Sequence, residues 1–233
     1  MLLESLRKEV LEANLELVRR GLVIYTFGNA SGISRTEGLV AIKPSGVPYD
    51  DLRPEHMVIT DLNGRVVEGS LRPSSDLDTH LVLYRAFPAI GGVVHTHSTH
   101  ATAWAQAARE IPCLGTTHAD YLRGPVPVTA PLTPAEIAGD YERNTGEAIV
   151  RRFETVDPAE ASAVLVAGHG PFTWGADAAE AAYHAAILEE LARMAYYTLT
   201  LNPAAQSLPA CHLDKHFLRK HGPSASYGQT GQK

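Results

Sequence analysis

Two histidines one residue apart, His95 and His97, close a short apolar run, Ala89-Ile90-Gly91-Gly92-Val93-Val94, and this stretch constrains the chain most. A run of that length reads as a buried strand. Side chains two apart on a strand share a face, with Cα atoms about 6.5–7 Å apart, so both imidazoles can turn toward one ion. A third histidine stands in a similar setting far downstream, in Ala163-Val164-Leu165-Val166-Ala167-Gly168-His169-Gly170. Three neutral imidazoles leave one position of a tetrahedral shell open, which suits a catalytic zinc; a structural zinc is closed by four protein ligands. His-x-His alone is a weak signal, and the second strand-end histidine between glycines is what makes a metal site the lead reading. His100 and His118 are ambiguous at this point: His100 opens what reads as a helix and reads either as a ligand or as its cap, and His118 reads either as a ligand or as a residue orienting a neighbour.

The 233 residues, 45% of them hydrophobic, are enough for one domain spanning 1–233 with a substantial core. A net charge of −6 leaves no basic stripe to neutralise phosphates, so nucleic acid is not the expected partner. Cys113 and Cys211 lie in apolar contexts and form no C-x-x-C pair, as expected of free thiols in a reducing compartment. Glu4, Arg7 and Lys8 bring charge too early for a signal peptide, and no apolar run reaches the ~20 residues of a membrane span. The expectation is a soluble, cytoplasmic protein.

Leu6, Val10, Leu17 and Val18 recur at helical spacing, with Gly21 as a C-cap. Strands are expected at Leu22–Thr26, Leu39–Ile42, Met57–Thr60 and Arg65–Val67, the last two joined through the turn Asp61-Leu62-Asn63-Gly64. A helix follows Asp76 through Leu81, Leu83, Tyr84 and Phe87, and another covers Thr99 to Arg109. Thr133-Pro134-Ala135-Glu136 is a capping box that should start a helix running to about Arg152. After the strand ending at His169, Asp177 with Glu180 opens a long helix toward Thr200. A last helix covers Leu213 to Lys220, and a polar tail follows Tyr227. This order predicts a mixed sheet with helices on both faces.

Three loops carry small hydroxyl and glycine residues: Gly28-Asn29-Ala30-Ser31-Gly32, Lys43-Pro44-Ser45-Gly46 and Ser74-Ser75. Each alone reads as an ordinary turn. Together, with Lys43 as a point charge, they favour a small phosphorylated ligand held by backbone N–H groups. No nucleotide-binding glycine loop is present. Asp76 reads either as an N-cap or as a carboxylate completing the metal shell. Asp120 is expected in a loop beside His118, and Tyr227 lies in a tail with little core of its own.

These stretches, with Gly115-Thr116-Thr117-His118-Ala119-Asp120 and Leu213-Asp214-Lys215-His216-Phe217-Leu218-Arg219-Lys220-His221-Gly222, resemble the zinc-dependent class II aldolase and epimerase superfamily, most closely its L-ribulose-5-phosphate 4-epimerase branch. The likeness runs from Leu6 to Gln229. It implies an α/β fold, an α/β/α sandwich around a central mixed, mainly antiparallel sheet, assembled as a cyclic homotetramer with sites between subunits. It also implies zinc on His95, His97 and His169, with Asp76 close to or on the metal. Gly28, Asn29, Ser45, Gly46, Ser74 and Ser75 would bind a phosphorylated ketopentose, mainly through its phosphate. Asp120 and Tyr227 would be the acid/base pair, supported by His216 and presented from the adjacent subunit, the tail from about residue 222 to 233 reaching toward that neighbour. The implied reaction interconverts L-ribulose 5-phosphate and D-xylulose 5-phosphate by retro-aldol cleavage and re-addition at C3–C4. Arabinose and ascorbate catabolism would both use it. Leu122, Arg123 and Gly168 depart from the usual pattern beside the site.

An aldolase releasing its aldehyde is the nearest rival on the same fold. A metal hydrolase is a remote one, because Thr99 replaces the aspartate of an H-x-H-x-D-H motif. A non-catalytic assembly head would be expected to lose metal ligands that are all kept here.

Overall fold

The computed structural model describes residues 1–222 and residue 225. Seven strands form one sheet: β1 (Asn29–Ser34), β2 (Leu39–Ile42), β3 (Val58–Asp61), β4 (Val66–Glu68), β5 (Gly92–His95), β6 (Ala163–Leu165) and β7 (Pro171–Gly175). Their order is β4-β3-β2-β1-β5-β7-β6. Among the described residues every strand pair is antiparallel, and the single parallel element is an isolated bridge between Val128 and Leu165.

Alternation along the strands splits the core in two. On one face Ala30, Ala41, Ile59 and Val94 pack against Val10 and Leu17 of α1 (Glu4–Arg19) and the small residues Ala178, Ala181 and Ala182 that begin α7 (Ala178–Leu201). On the other, Val40, Ile42, Val93, Phe172 and Trp174 meet α2 (Leu77–Ala86), α3 (Thr99–Gln106) and α6 (Tyr141–Arg152). The result is the expected α/β/α sandwich. Two short helices, α4 (Thr116–Ala119) and α5 (Pro134–Ala138), and a final α8 (Ala210–His221) complete it. Among the described residues no helix is long and apolar enough to cross a membrane.

Local signals held where chemistry is local. Thr133 and Glu136 form the reciprocal capping box, and the Asp177 carboxylate accepts the Glu180 N–H at 2.7 Å to open α7. The β3–β4 hairpin turns at Gly64, whose φ is +83°.

Four expectations need correction. Leu22–Thr26 forms no strand; Tyr25 at φ +53° and Gly28 at φ +71° turn the chain there instead. The strand is β1, built from residues that read as a loop. It is small and polar because helices press on it: a Cβ on Gly32 would sit 2.9 Å from Leu6 Cδ1 of α1. The capping-box helix stops at Ala138, because Gly139 adopts φ −92°, ψ −140°, and α6 starts afresh at Tyr141. The strand expected to reach His169 ends at Leu165, and β7 lies just beyond the histidine, so His169 occupies the turn between two paired strands. Asp120 follows the one-turn helix α4 as its C-cap and is not in an open loop.

Candidate metal centre and active-site cleft

The sheet register builds the centre. Asn29 of β1 pairs with His95 of β5, which pairs with Phe172 of β7. Directly opposed residues share a face, so the three side chains stand in a row. The His95 ring stacks on Phe172 with centroids 4.2 Å apart. Its Nδ1–H donates to the Pro171 carbonyl at 2.9 Å, which leaves Nε2 as the free lone pair. His97 Nε2 lies 3.0 Å from that atom, and His169 closes a triangle in which all three donor atoms lie within 4.8 Å of one another. A tetrahedral shell with bonds of about 2.0–2.1 Å has edges of about 3.3 Å, close to the His95–His97 separation, so the three histidines could hold a zinc-sized ion.

Electrostatics agree with ligand character. Burial, then the neighbouring His95 and His97, pulls His169 down to about 4. His97 is lowered by burial and by His95. Neutral rings at neutral pH are the form a metal needs. For Asp76, burial alone would raise the carboxyl, but His95, His80 and a hydrogen bond from Asn29 Nδ2 at 2.6 Å outweigh it and leave the acid lowered. Asp76 makes no side-chain cap on α2, which removes the simple N-cap reading. Its charge faces the imidazoles.

These residues line a cleft of about 460 Å³. Its far wall is made by Gly28, Asn29, Ser45, Gly46, Ser74 and Ser75, so the expected phosphate loops converge on the histidines. The loops are stitched together: Ser45 N–H donates to Arg72 O and Ser74 N–H to Lys43 O, each at 2.9 Å. Gly28 is required as glycine, for an added Cβ would lie 2.9 Å from the His95 carbonyl at a φ of +71°. Lys43 is 2% exposed, with its ammonium 4.8 Å from the Tyr49 ring centroid, and burial lowers it to about 8.

Four contributors, Tyr141, Glu142, His80 and Tyr84, lie outside the sequence motifs. Tyr141 and Glu142 enter the cleft from the start of α6, Tyr141 Oη standing 3.4 Å from His169 Nδ1. Beneath it, Ser31 Oγ bridges His80 Nδ1 at 2.7 Å and Tyr84 Oη at 2.8 Å, and complete burial drives His80 down to about 3. The sequence reading runs one helix through Gly139-Asp140 and so passes over Tyr141, and nothing local marked His80.

The remaining expected residues lie elsewhere. Asp120 is outside this cleft, held by Arg219 at 2.8 and 2.9 Å and by His216 Nδ1 at 2.9 Å. Burial opposes its ionisation, but Arg219, His216 and Lys220 keep the carboxyl below the usual range. His216 is therefore in direct contact with Asp120. Tyr227 lies outside the described residues. His118 is buried and donates from Nε2 to Gly124 O at 2.8 Å, so it ties down the loop after α4. A larger cleft of about 790 Å³ opens between α1 and α7, but Arg19, Arg20 and Arg193 there are already paired with glutamates. It offers no convergent ligand set.

Comparison with known proteins agrees with this geometry. The family described as the class II aldolase and adducin N-terminal domain matches residues 8–196. The chain is 52% identical over 227 residues, 97% of its length and all of the relative's, to L-ribulose-5-phosphate 4-epimerase UlaF of Salmonella paratyphi B. The Salmonella paratyphi C enzyme of the same name is 51% identical over the same shares. Among solved structures, an L-fuculose 1-phosphate aldolase superposes with a TM-score of 0.76 at 27% identity, covering 91% of this chain and 94% of that one. The fuculose-1-phosphate aldolase of Thermus thermophilus gives 0.68 at 27% identity, over 88% and 100%. With three convergent histidines, glycine- and serine-bearing loops facing them across one cleft, and a family match over most of its length, the chain belongs to the class II aldolase family.

Proposed function

We propose that this protein is a metal-dependent L-ribulose-5-phosphate 4-epimerase, forming D-xylulose 5-phosphate in the reversible direction. The observation that carries it is the 52% identity, over 97% of the chain, to an enzyme of that name. C4 of the ketopentose is not α to the carbonyl, so a proton cannot simply be removed there. Breaking and remaking the C3–C4 bond inverts C4 without that step. A zinc ion on His95, His97 and His169, with Asp76 beside it, would supply the Lewis acid for charge developing on the C2 and C3 oxygens.

The chain's own residues do the rest. Backbone N–H groups and hydroxyls of Gly28, Asn29, Ser45, Gly46, Ser74 and Ser75, with the Lys43 charge, hold the phosphate. Anchored there, the two-carbon aldehyde turns about its bond without leaving, which keeps the reactants together. Asn29 Oδ1 is buried without a hydrogen bond among the described residues, which suits it to accept from a substrate hydroxyl. Asp120 and Tyr227 serve opposite faces of the sugar, one for each C4 alkoxide. A phenol with an ordinary value of about 10 is protonated at neutral pH and can donate. Because Asp120 lies outside the cleft of its own chain, this reading takes it from a neighbour in a homotetramer, each chain 1–233 forming one domain, with Tyr227, outside the described residues, as its partner in the acid/base pair. The same reading makes it a cytoplasmic enzyme of sugar catabolism.

The test incubates zinc-loaded protein with L-ribulose 5-phosphate and follows D-xylulose 5-phosphate, with a chelated control. Product with zinc and none after chelation is expected. Accumulation of a free aldehyde without epimer would convert the assignment to aldolase.

A further inference from the structure

The stretch His95-Thr96-His97-Ser98-Thr99-His100 holds a third histidine that the chemistry above leaves unused. His100 is the second residue of α3, and its Nδ1 lies 2.8 Å from Glu189 Oε1 of α7. The same carboxylate accepts the backbone N–H of His100 at 2.8 Å and of Ala101 at 3.0 Å. Those are two of the N–H groups that begin a helix without a partner inside it. Ser98, at the N-cap, makes no side-chain cap of its own. A carboxylate from the longest helix therefore caps α3, where the helix dipole favours negative charge. Its side chain is 18% exposed, so the contact is largely shielded from water.

The cap lies three residues after a candidate metal ligand. His95 is aimed by Pro171 and Phe172, and His169 by Tyr141. The His97 ring makes no hydrogen bond among the described residues except toward His95. Its ring also meets Phe27 and His169, with centroids 6.4 and 5.1 Å away, but neither contact is a directional bond, so its aim comes from its backbone. Upstream, the Thr96 N–H reaches Pro171 O at a long 3.4 Å. Downstream, the next fixed point is the first turn of α3.

We infer that Glu189 is a positioning residue for the metal centre: by capping α3 it fixes the backbone that aims His97, and His100 serves as its partner and not as a ligand. The inference rests on His95, His97 and His169 binding metal. A second tie between the same helices, Trp104 Nε1–H to Ala192 O at 3.0 Å, provides the control, because it lies at the far end of α3.

Metal-free protein is titrated with zinc against a chromophoric chelator, alongside thermal unfolding. Glu189→Ala should weaken zinc about tenfold, within the range for outer partners of metal ligands. Glu189→Gln keeps an acceptor for the backbone N–H groups and should restore affinity to within about threefold of wild type. Trp104→Phe should unfold more easily yet bind zinc as wild type does. Unchanged affinity in Glu189→Ala overturns the inference, as does an equal loss in Trp104→Phe, which would make the effect a general loosening of α3. Wild-type protein that takes up no zinc would remove the metal-site reading itself, and this inference with it.

Discussion

Lys43 is charged in a place that disfavours charge. Its neighbours are two carbonyls, Thr26 O at 3.4 Å and Pro44 O at 3.3 Å, and the face of Tyr49, with no carboxylate pairing it among the described residues. Burial lowers it to about 8, so it is an ammonium below that value and an amine above it. A dianionic phosphate beside it is stabilised only by the ammonium. KM for the phosphorylated ketose should therefore rise as pH climbs through about 8, with kcat much less affected. Lys43→Met should raise KM roughly tenfold or more below that pH, the loss of one charge-assisted contact, and abolish the rise. A KM profile that keeps its inflection in Lys43→Met would assign the titration to another group.

The site depends on how closely elements approach, and glycine sets that distance. Strand β5 delivers His95 at one end and begins with Gly92 at the other, which pairs with Gly175 of β7. A methyl group on Gly92 would fall on the Asp177 carbonyl and the Ala178 nitrogen, both backbone atoms at the start of α7. Gly92→Ala should therefore cost up to about 3 kcal/mol, as overpacking in a tight core does, and should lower metal content by displacing β5. Denaturant unfolding and metal analysis would read both effects. An alanine variant of wild-type stability would show that α7 can slide on the sheet. Much of this arrangement was legible in the chain itself. The apolar run into His95, the Asn63-Gly64 turn, the capping box at Thr133 and the start of α7 are all set by neighbours in sequence. Strand β1 was hidden because Asn29-Ala30-Ser31-Gly32 is extended through packing from α1 and partners such as His80 and Tyr84, about 50 residues away. Tyr141 and Glu189 were invisible for the same reason, since long helices bring them to histidines that no local pattern connects to them. Asp76 was ambiguous until its partner proved to be Asn29 and not the α2 backbone.

At the scale of the whole molecule, the cleft sits where the ends of β1 and β5 meet the starts of α2 and α6, and its histidines and its glycine- and serine-bearing loops come from one chain. Asp120 lies outside that cleft, clamped by α8 through Arg219 and His216. If the working site is assembled from two chains, damage to one half need not disable the other. Asp120→Asn should retain metal and a sound phosphate cradle, while His97→Ala should retain a sound Asp120. Each variant alone should be inactive. Unfolded together and refolded as mixed assemblies, they should recover about a quarter of wild-type activity, the share of sites that pair two intact halves under random mixing. No recovery from stable mixed assemblies would place both halves of the site on one chain. Recovery would mean that inheritance of function follows the interface: a population of two defective chains can be catalytically competent where neither is alone.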